Sequence, residues 1–291
     1  MKRPDYVIIG GMKCGTSTLA AQLGAQDGIF MTEPKEPNFF SDEETFAKGL
    51  EWYSDLFESA KDGDLLGEAS THYAKWPVHP KAAERLRAYA PEAKLIYMVR
   101  DPVKRALSQL RHHWTMREVE GHDLEAIARS HAPLWHYSRY ETQLQKWLEH
   151  YPGDQVLVVS LERLEADPYG EFRRVLSFLG ASGEWAEHTG DQNVGADRSR
   201  RLPLHGLLVE SPVATFLRRA LVPKRLRTWV RERRQMPRLE LSDDAKAFLA
   251  DQVREDIAAF GARFGMTDLS PENFRERMLS RQLSGGGTAD R

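Results

Sequence analysis

Cysteine is almost absent: Cys14 is the only one in 291 residues. A single thiol can neither staple the chain internally nor furnish a Cys-rich zinc site, so a reducing cytoplasm is the expected setting. Also missing is any apolar run approaching the ~20 residues of a membrane span. Met1-Lys2-Arg3 begins like a signal peptide, but the apolar stretch from Tyr6 to Met12 is short and ends at Lys13. Neither charge dominates, with 41 Lys+Arg against 43 Asp+Glu and a formal net charge of -2. That balance excludes a uniformly basic nucleic-acid binder and predicts no nucleic-acid partner, while leaving room for a local basic face. There is no internal repeat, no H-E-x-x-H helix and no carboxylate-plus-histidine cluster, so no metal is expected. What remains is ordinary globular usage, 41% hydrophobic and 29% charged, which rules out wholesale disorder. A chain of this length buries a large core unaided.

Apolar runs of strand character alternate with helical patterns. Tyr6 to Ile9, Ile29 to Met31, Leu65 to Glu68, Lys94 to Val99 and Gln155 to Ser160 read as strands. Helical periodicity occupies roughly 43–57, 80–90, 102–117, 137–150 and 168–179, and a further helix is expected from Thr16. Strands separated by helices of this length predict a parallel sheet covered on both faces. The character changes after about residue 180. Gly180 to Pro203 is polar and aperiodic, 205–234 is basic and helical, and a last helix is expected at 242–264 behind the cap Ser242-Asp243-Asp244. The expectation is one domain over 1–283, with an α/β core at about 5–180 and a helical C-terminal extension at about 205–265. The glycine-rich tail 284–291 is expected to be disordered.

Two segments carry chemistry. Gly10-Gly-Met-Lys-Cys-Gly-Thr-Ser-Thr18 joins the first strand to a helix. Glycines let such a turn aim backbone N–H groups inward, and the helix N-terminus adds partial positive charge, so the loop is an anion cradle. Gly10 and Gly15 have the spacing of the nucleotide-triphosphate loop G-x-x-x-x-G-K-[ST], but Thr16 fills the lysine slot and the loop's lysine is Lys13. The second segment is Val99-Arg-Asp-Pro-Val-Lys-Arg-Ala-Leu-Ser108 at the end of the Lys94–Val99 strand. Pro102 suits a first helical turn, which places Arg100 at the carboxyl end of the strand, where open α/β sheets bind ligands. A guanidinium there grips a phosphate with two parallel bonds.

Together the two segments match the phosphate-binding motifs of the sulfotransferases that use 3′-phosphoadenosine 5′-phosphosulfate (PAPS). The sequence resembles the bacterial and Golgi sulfotransferase family, and the heparan-sulfate type more than the cytosolic type. Lys35-Glu-Pro-Asn-Phe-Phe40 looks like that group's K-E-x-x-F-F segment, and Gly49-Leu-Glu-Trp-Tyr53 like its G-x-x-W-Y segment. The likeness is good over about 5–180 and looser over the last helix. It implies a P-loop-type three-layer α/β fold and an enzyme that moves the sulfuryl group of PAPS to a hydroxyl or amine, leaving 3′-phosphoadenosine 5′-phosphate (PAP). A carbohydrate or glycoconjugate acceptor is favoured, and no metal is implied.

By the same resemblance, Lys13, Gly15, Thr16, Ser17 and Thr18 contact the 5′ end of the donor, while Arg100 and Ser108 hold its 3′-phosphate. Lys13 also stabilises charge on the leaving oxygen. The glutamate of K-E-x-x-F-F is the base, which maps onto Glu36, with Glu33 its nearest competitor. Burial beside Phe39 and Phe40 is expected to raise the Glu36 pKa toward the working range. One position departs from the pattern. Where the heparan type carries E-K-[ST]-x-x-Y, this chain reads Gly67-Glu-Ala-Ser-Thr-His-Tyr73, with Ala69 in the lysine's place. His72, in that segment, is the second candidate base, with a hydrogen-bonded strand-end histidine as its plain alternative. Glu68 is a candidate for substrate orientation and Tyr73 for packing.

In the family a late basic loop closes over the adenosine, and Arg198, Arg200 or Arg201 in 191–201 are the candidates here. The basic stretch Arg218 to Arg238 is either the outer face of a packed helix or a face for an anionic polymer or membrane surface. His112, His113 and Trp114 are candidates for the edge of an acceptor cleft, and Cys14 reads as a small loop residue. Two other readings compete: a P-loop ATP- or GTP-dependent kinase with Asp101 as magnesium carboxylate, and a non-catalytic nucleotide-binding module that docks a partner through 218–238.

Overall fold

The computed structural model describes residues 1–120, 123–187 and 241–283. Arg198, Arg200, Arg201, the basic stretch 218–238 and the tail 284–291 lie outside the described residues. Five strands, β1 (Tyr6–Gly10), β2 (Ile29–Met31), β3 (Leu65–Ala69), β4 (Lys94–Val99) and β5 (Val156–Ser160), form one sheet in the order β2-β3-β1-β4-β5. All four pairings are parallel. The chain leaves β1 for the far side of β3, returns, and then crosses to β4 on the other side of β1. That reversal makes the gap between the ends of β1 and β4 the topological switch point, where such sheets bind ligands.

Strand residues alternate between two cores. Val7, Ile9, Leu95, Tyr97, Val99, Val156 and Val158 enter one cluster, and Ile8, Ile96, Met98, Leu157 and Val159 enter the other. Burial on both faces explains why these strands read as continuous apolar runs rather than as alternating ones. Helices α1 (Thr16–Gly24) and Pro168–Leu179 cover the second cluster through Leu19, Leu23, Phe172, Val175 and Leu179. The first is covered by Ala82–Tyr89, Tyr140–Leu148 and the C-terminal helices Arg254–Arg263 and Phe274–Ser280. Ile257, Phe260 and Phe274 are fully buried there, each worth about 1.5–3 kcal/mol. The C-terminal helices are thus part of the main core.

Two helical expectations need correction. The 43–57 pattern is two short helices, Glu43–Phe46 and Gly49–Asp55, because Gly49 sits at φ +87 and breaks the run. The 242–264 pattern is Asp243–Asp251 and Arg254–Arg263, interrupted at Gln252-Val253, where Val253 turns inward to the core. Ser242 does cap as expected, accepting the Ala245 N–H. Leu124–Ser130, Pro133–His136, Leu161–Ala166 and Phe274–Ser280 are further helices of seven residues or fewer, too short for a periodic signal to stand out.

Candidate functional site

Between β1 and α1 the chain makes a tight loop. Gly10 lies at φ +137, and a Cβ there would stand 2.9 Å from the Ala74 Cβ; at Gly15, φ +89, it would meet Leu161 Cδ1 at 2.7 Å. Only glycine fits either place. Gly15 is the N-cap of α1, with no side chain capping the helix and no acidic residue in its first turn. The Thr18 N–H closes onto the Gly15 carbonyl at 3.1 Å, while the N–H groups of Gly15, Thr16 and Ser17 have no partner among the described residues and, with the positive end of the helix dipole, meet the hydroxyls of Thr16, Ser17 and Thr18. Lys13 adopts φ +67, an uncommon conformation for a residue with a side chain. The cradle fits an anionic phosphate-bearing group.

The second cation is brought to the first. β1 and β4 are neighbours, and Arg100, just past β4, donates from Nη1 to the Lys13 carbonyl at 3.1 Å. Tyr140 clasps the Arg100 backbone, its hydroxyl accepting the Arg100 N–H at 3.2 Å and donating to the Arg100 carbonyl. Glu162 accepts the Asp101 N–H at 2.8 Å. Nothing in a motif marks Tyr140 or Glu162; only the fold places them at the strand end. Asp101 caps the Pro102–Met116 helix by accepting the Lys104 N–H at 2.9 Å, so its carboxylate is engaged in local structure. Ser108 is half-buried in the second turn of that helix.

Glu36 lies on the β3 side. The rings of Phe39 and Tyr53 stack at 4.8 Å, and Phe40 packs on Tyr53 at 4.8 Å. The K-E-x-x-F-F and G-x-x-W-Y segments are thus one aromatic unit that holds the loop. Glu36 (φ +64) and Asn38 (φ +53) are both left-handed, and the surroundings fix them. The Glu36 N–H donates to the Ala69 carbonyl at 3.0 Å, and the Asn38 N–H to Ser70 Oγ at 3.1 Å. Such strain persists where the fold over-determines it, often at a working site. The Glu36 carboxylate accepts from Lys35 Nζ at 2.7 Å and from Thr71 Oγ1 at 3.1 Å. The Thr71 carbonyl lies close to Gly10, which ties the carboxylate to the phosphate loop through one residue.

The expected upward shift of Glu36 is corrected by this geometry. Burial does raise its pKa, but the charges of Lys35 and Lys75 and the bonds from Lys35 and Thr71 outweigh it and hold it below the ordinary value. Glu36 is ionised throughout the neutral range, and Glu33, exposed, has no such partners described. His72 differs from its plain alternative too. Its Nδ1 is buried without a hydrogen bond, its ring stacks on His79 at 4.8 Å, and burial lowers its pKa to about 4. A cavity of about 290 Å³ is lined by Ser41, Glu43, Val78, Lys81 and the same His79 that stacks on His72.

Glu68 does not face a cleft. Wholly buried, it accepts from Tyr73 Oη at 2.7 Å and Ser70 Oγ at 3.1 Å, while Tyr73 Oη takes the Phe40 N–H at 3.3 Å. It sets β3 against the aromatic unit, and Tyr73 packs as expected. Burial raises the Glu68 pKa from 4.5 to about 7. A raised folded value gives stability that is complete below the unfolded pKa and is lost as pH rises through the folded one. Glu68 should therefore cost about 3 kcal/mol of stability between pH 4.5 and above 7. Glu68→Gln should remove that slope from the Tm profile, and a variant as steep as the parent would contradict the assignment.

His113 and Trp114 are also corrected. Both are buried, and His113 Nδ1 meets His131 Nε2 at 3.0 Å, so they pack inward rather than edge a cleft; His112 is half-buried beside them. Cys14 is fully buried, which pushes its thiol up to about 12 and makes it inert, as expected of a packed loop residue. Among the described residues no group of His, Cys, Asp and Glu could hold a metal ion, and no helix is long and apolar enough to cross a membrane.

The chain is similar to known proteins in sequence and fold. A family model for the sulfotransferase domain matches residues 3–195. Heparan sulfate glucosamine 3-O-sulfotransferase 3A1 of Mus musculus is 35% identical over 185 residues, 61% of this chain and 46% of that protein. Bifunctional heparan sulfate N-deacetylase/N-sulfotransferase 1 of Xenopus laevis is 28% identical over 208 residues, 64% of this chain and 23% of that protein. The chain spans about half, or less, of the length of these curated relatives. A solved sulfotransferase from Alicyclobacillus acidocaldarius superposes with a TM-score of 0.63 at 25% identity, covering 90% of this chain and 96% of that one.

Proposed function

The chain belongs to the sulfotransferase domain family, and from that premise we propose that it moves a sulfuryl group from PAPS to a hydroxyl of a carbohydrate or glycoconjugate, leaving PAP. Bound at the switch point, PAPS supplies an activated sulfuryl group on a nucleotide phosphate that leaves readily as an anion. The remaining chemistry falls to this chain's residues. The N–H groups of 15–17 and the hydroxyls of Thr16, Ser17 and Thr18 bind one anionic end, and Arg100, with Ser108, binds the other. Lys13 stabilises charge growing on the leaving oxygen. Glu36, already ionised, takes the acceptor proton; a positioned carboxylate contributes through its placement even when its pKa is low. The favoured glycan acceptor rests on the likeness to the heparan sulfate enzymes.

The observation that carries this reading is the hydrogen bond joining Arg100 to the Lys13 carbonyl beside an uncapped helix N-terminus. Two cationic groups at adjacent strand ends suit a ligand with two separate anionic ends better than a triphosphate needing a magnesium carboxylate, since Asp101 is committed to its helix. A thermal-shift comparison tests it. PAP without magnesium should raise Tm, and ATP with magnesium should not; the reverse result would favour the kinase. Saturating ligand is required, because stabilisation at the Kd is only ~0.4 kcal/mol.

Arg100→Ala should weaken PAP binding by roughly 10–100-fold, the worth of lost charge-assisted bonds, with kcat at saturating donor changed only a few-fold. Calorimetric titration of PAP checks this. An unchanged Kd would remove Arg100 from the phosphate site.

A further inference from the structure

The family pattern places a lysine at position 69, but Ala69 is wholly buried at the end of β3. Six residues on, Lys75 is itself buried, with 9% of its surface exposed. Its ammonium lies 5.7 Å from the centroid of the Tyr137 ring and makes no hydrogen bond or ion pair with a described residue. Two observations locate it at the site. Its chain neighbour Ala74 abuts Gly10, the first residue of the phosphate loop. Its charge also acts on Glu36, helping to hold that carboxylate ionised. A buried ammonium without a bonded partner is costly to a fold, and an apolar side chain would pack there at less expense.

We propose that Lys75 is the second cation of the transfer site, reached from a different chain position than in the family pattern, and that its ammonium contacts the sulfuryl oxygens of the bound donor. The proposal rests on the sulfotransferase reading above. As the bond from the acceptor oxygen to sulfur forms and the bond from sulfur to the phosphate oxygen breaks, the acceptor proton passes to Glu36 and Lys75 keeps its own. Its contribution is charge alone.

The surroundings make this charge titrate in a useful range. Burial lowers the Lys75 pKa to about 8, with Glu36 and Glu118 pulling it up and Arg105 pushing it down. His72, His79 and His113 also lie within its field, and all three are kept neutral by burial. The ammonium is therefore present at neutral pH and lost as pH rises through about 8.

PAP lacks the sulfuryl group and PAPS carries it, so paired calorimetric titrations of the full chain without acceptor isolate the contact. Lys75→Met should weaken PAPS binding by about tenfold and leave PAP within twofold. In the parent, PAPS affinity should fall relative to PAP affinity between pH 7 and 9. Lys75→Arg should retain PAPS binding and abolish that fall. Equal weakening of both ligands would mark Lys75 as structural, and unchanged PAPS binding in Lys75→Met would also overturn the proposal. A parent that binds PAP normally but prefers PAPS no more strongly at pH 7 than at pH 9 contradicts Lys75 alone. A parent that binds neither ligand overturns the sulfotransferase reading itself.

Discussion

Lys13→Ala is expected to lower kcat by roughly 10²–10³-fold, the usual cost of deleting one preorganised group that meets charge developing in a transition state. The loop should survive the change. Lys13 already occupies φ +67, a conformation that strains alanine no more than lysine. Its carbonyl, which accepts from Arg100, belongs to the backbone and is unaffected by the substitution. The loss thus falls on the ammonium. Steady-state transfer of labelled sulfate, with Tm as a control for folding, measures it. Activity within threefold of the parent would remove Lys13 from the chemistry.

Glu36→Gln separates chemistry from binding most cleanly. The amide is nearly isosteric and can still accept from Thr71, so the left-handed loop and its aromatic support should persist. The lost ion pair to Lys35 is partly exposed and worth little. Transfer should nevertheless drop by about 10²–10⁴-fold, because the proton acceptor is gone, while the Kd for PAP stays within twofold. The lowered pKa fixes the sign of the acid limb: as pH falls from neutral, activity should hold until below the ordinary glutamate value of 4.5, where Glu36 protonates. Retained turnover in Glu36→Gln would shift the base to His72, despite the weak basicity of that buried ring.

Much of the fold is legible from apolar runs. Ile29–Met31, Lys94–Val99 and Pro168–Leu179 begin and end where the pattern places them, because Lys94–Val99 is buried on both faces, the edge strand Ile29–Met31 is partly buried, and one face of that helix is buried. The phosphate loop is legible for another reason: Gly10 and Gly15 are held by contacts that only glycine permits. The helix breaks at Gly49 and Val253 are not, since an amphipathic stripe continues across a break when both halves face the same core. Glu36 is identifiable by motif, but its electrostatics are not. Proximity to Phe39 and Phe40 suggests a raised pKa, whereas the adjacent Lys35, joined by Thr71 and Lys75 from a segment 35 or more residues away, reverses the sign. Lys75 itself sits in no motif. The missing lysine at position 69 is the one signal that a cation had to be sought nearby.

A crystal structure of the complex with PAP tests most directly whether the paired strand ends of β1 and β4 grasp both anionic ends of an adenosine bisphosphate. The expected result is the 5′-phosphate against the N–H groups of 15–17 and the hydroxyls of 16–18, with the 3′-phosphate within hydrogen-bond distance of the Arg100 guanidinium. PAP lodged in the cavity between Ser41 and Lys81, with the loop beside Lys13 empty, would contradict it.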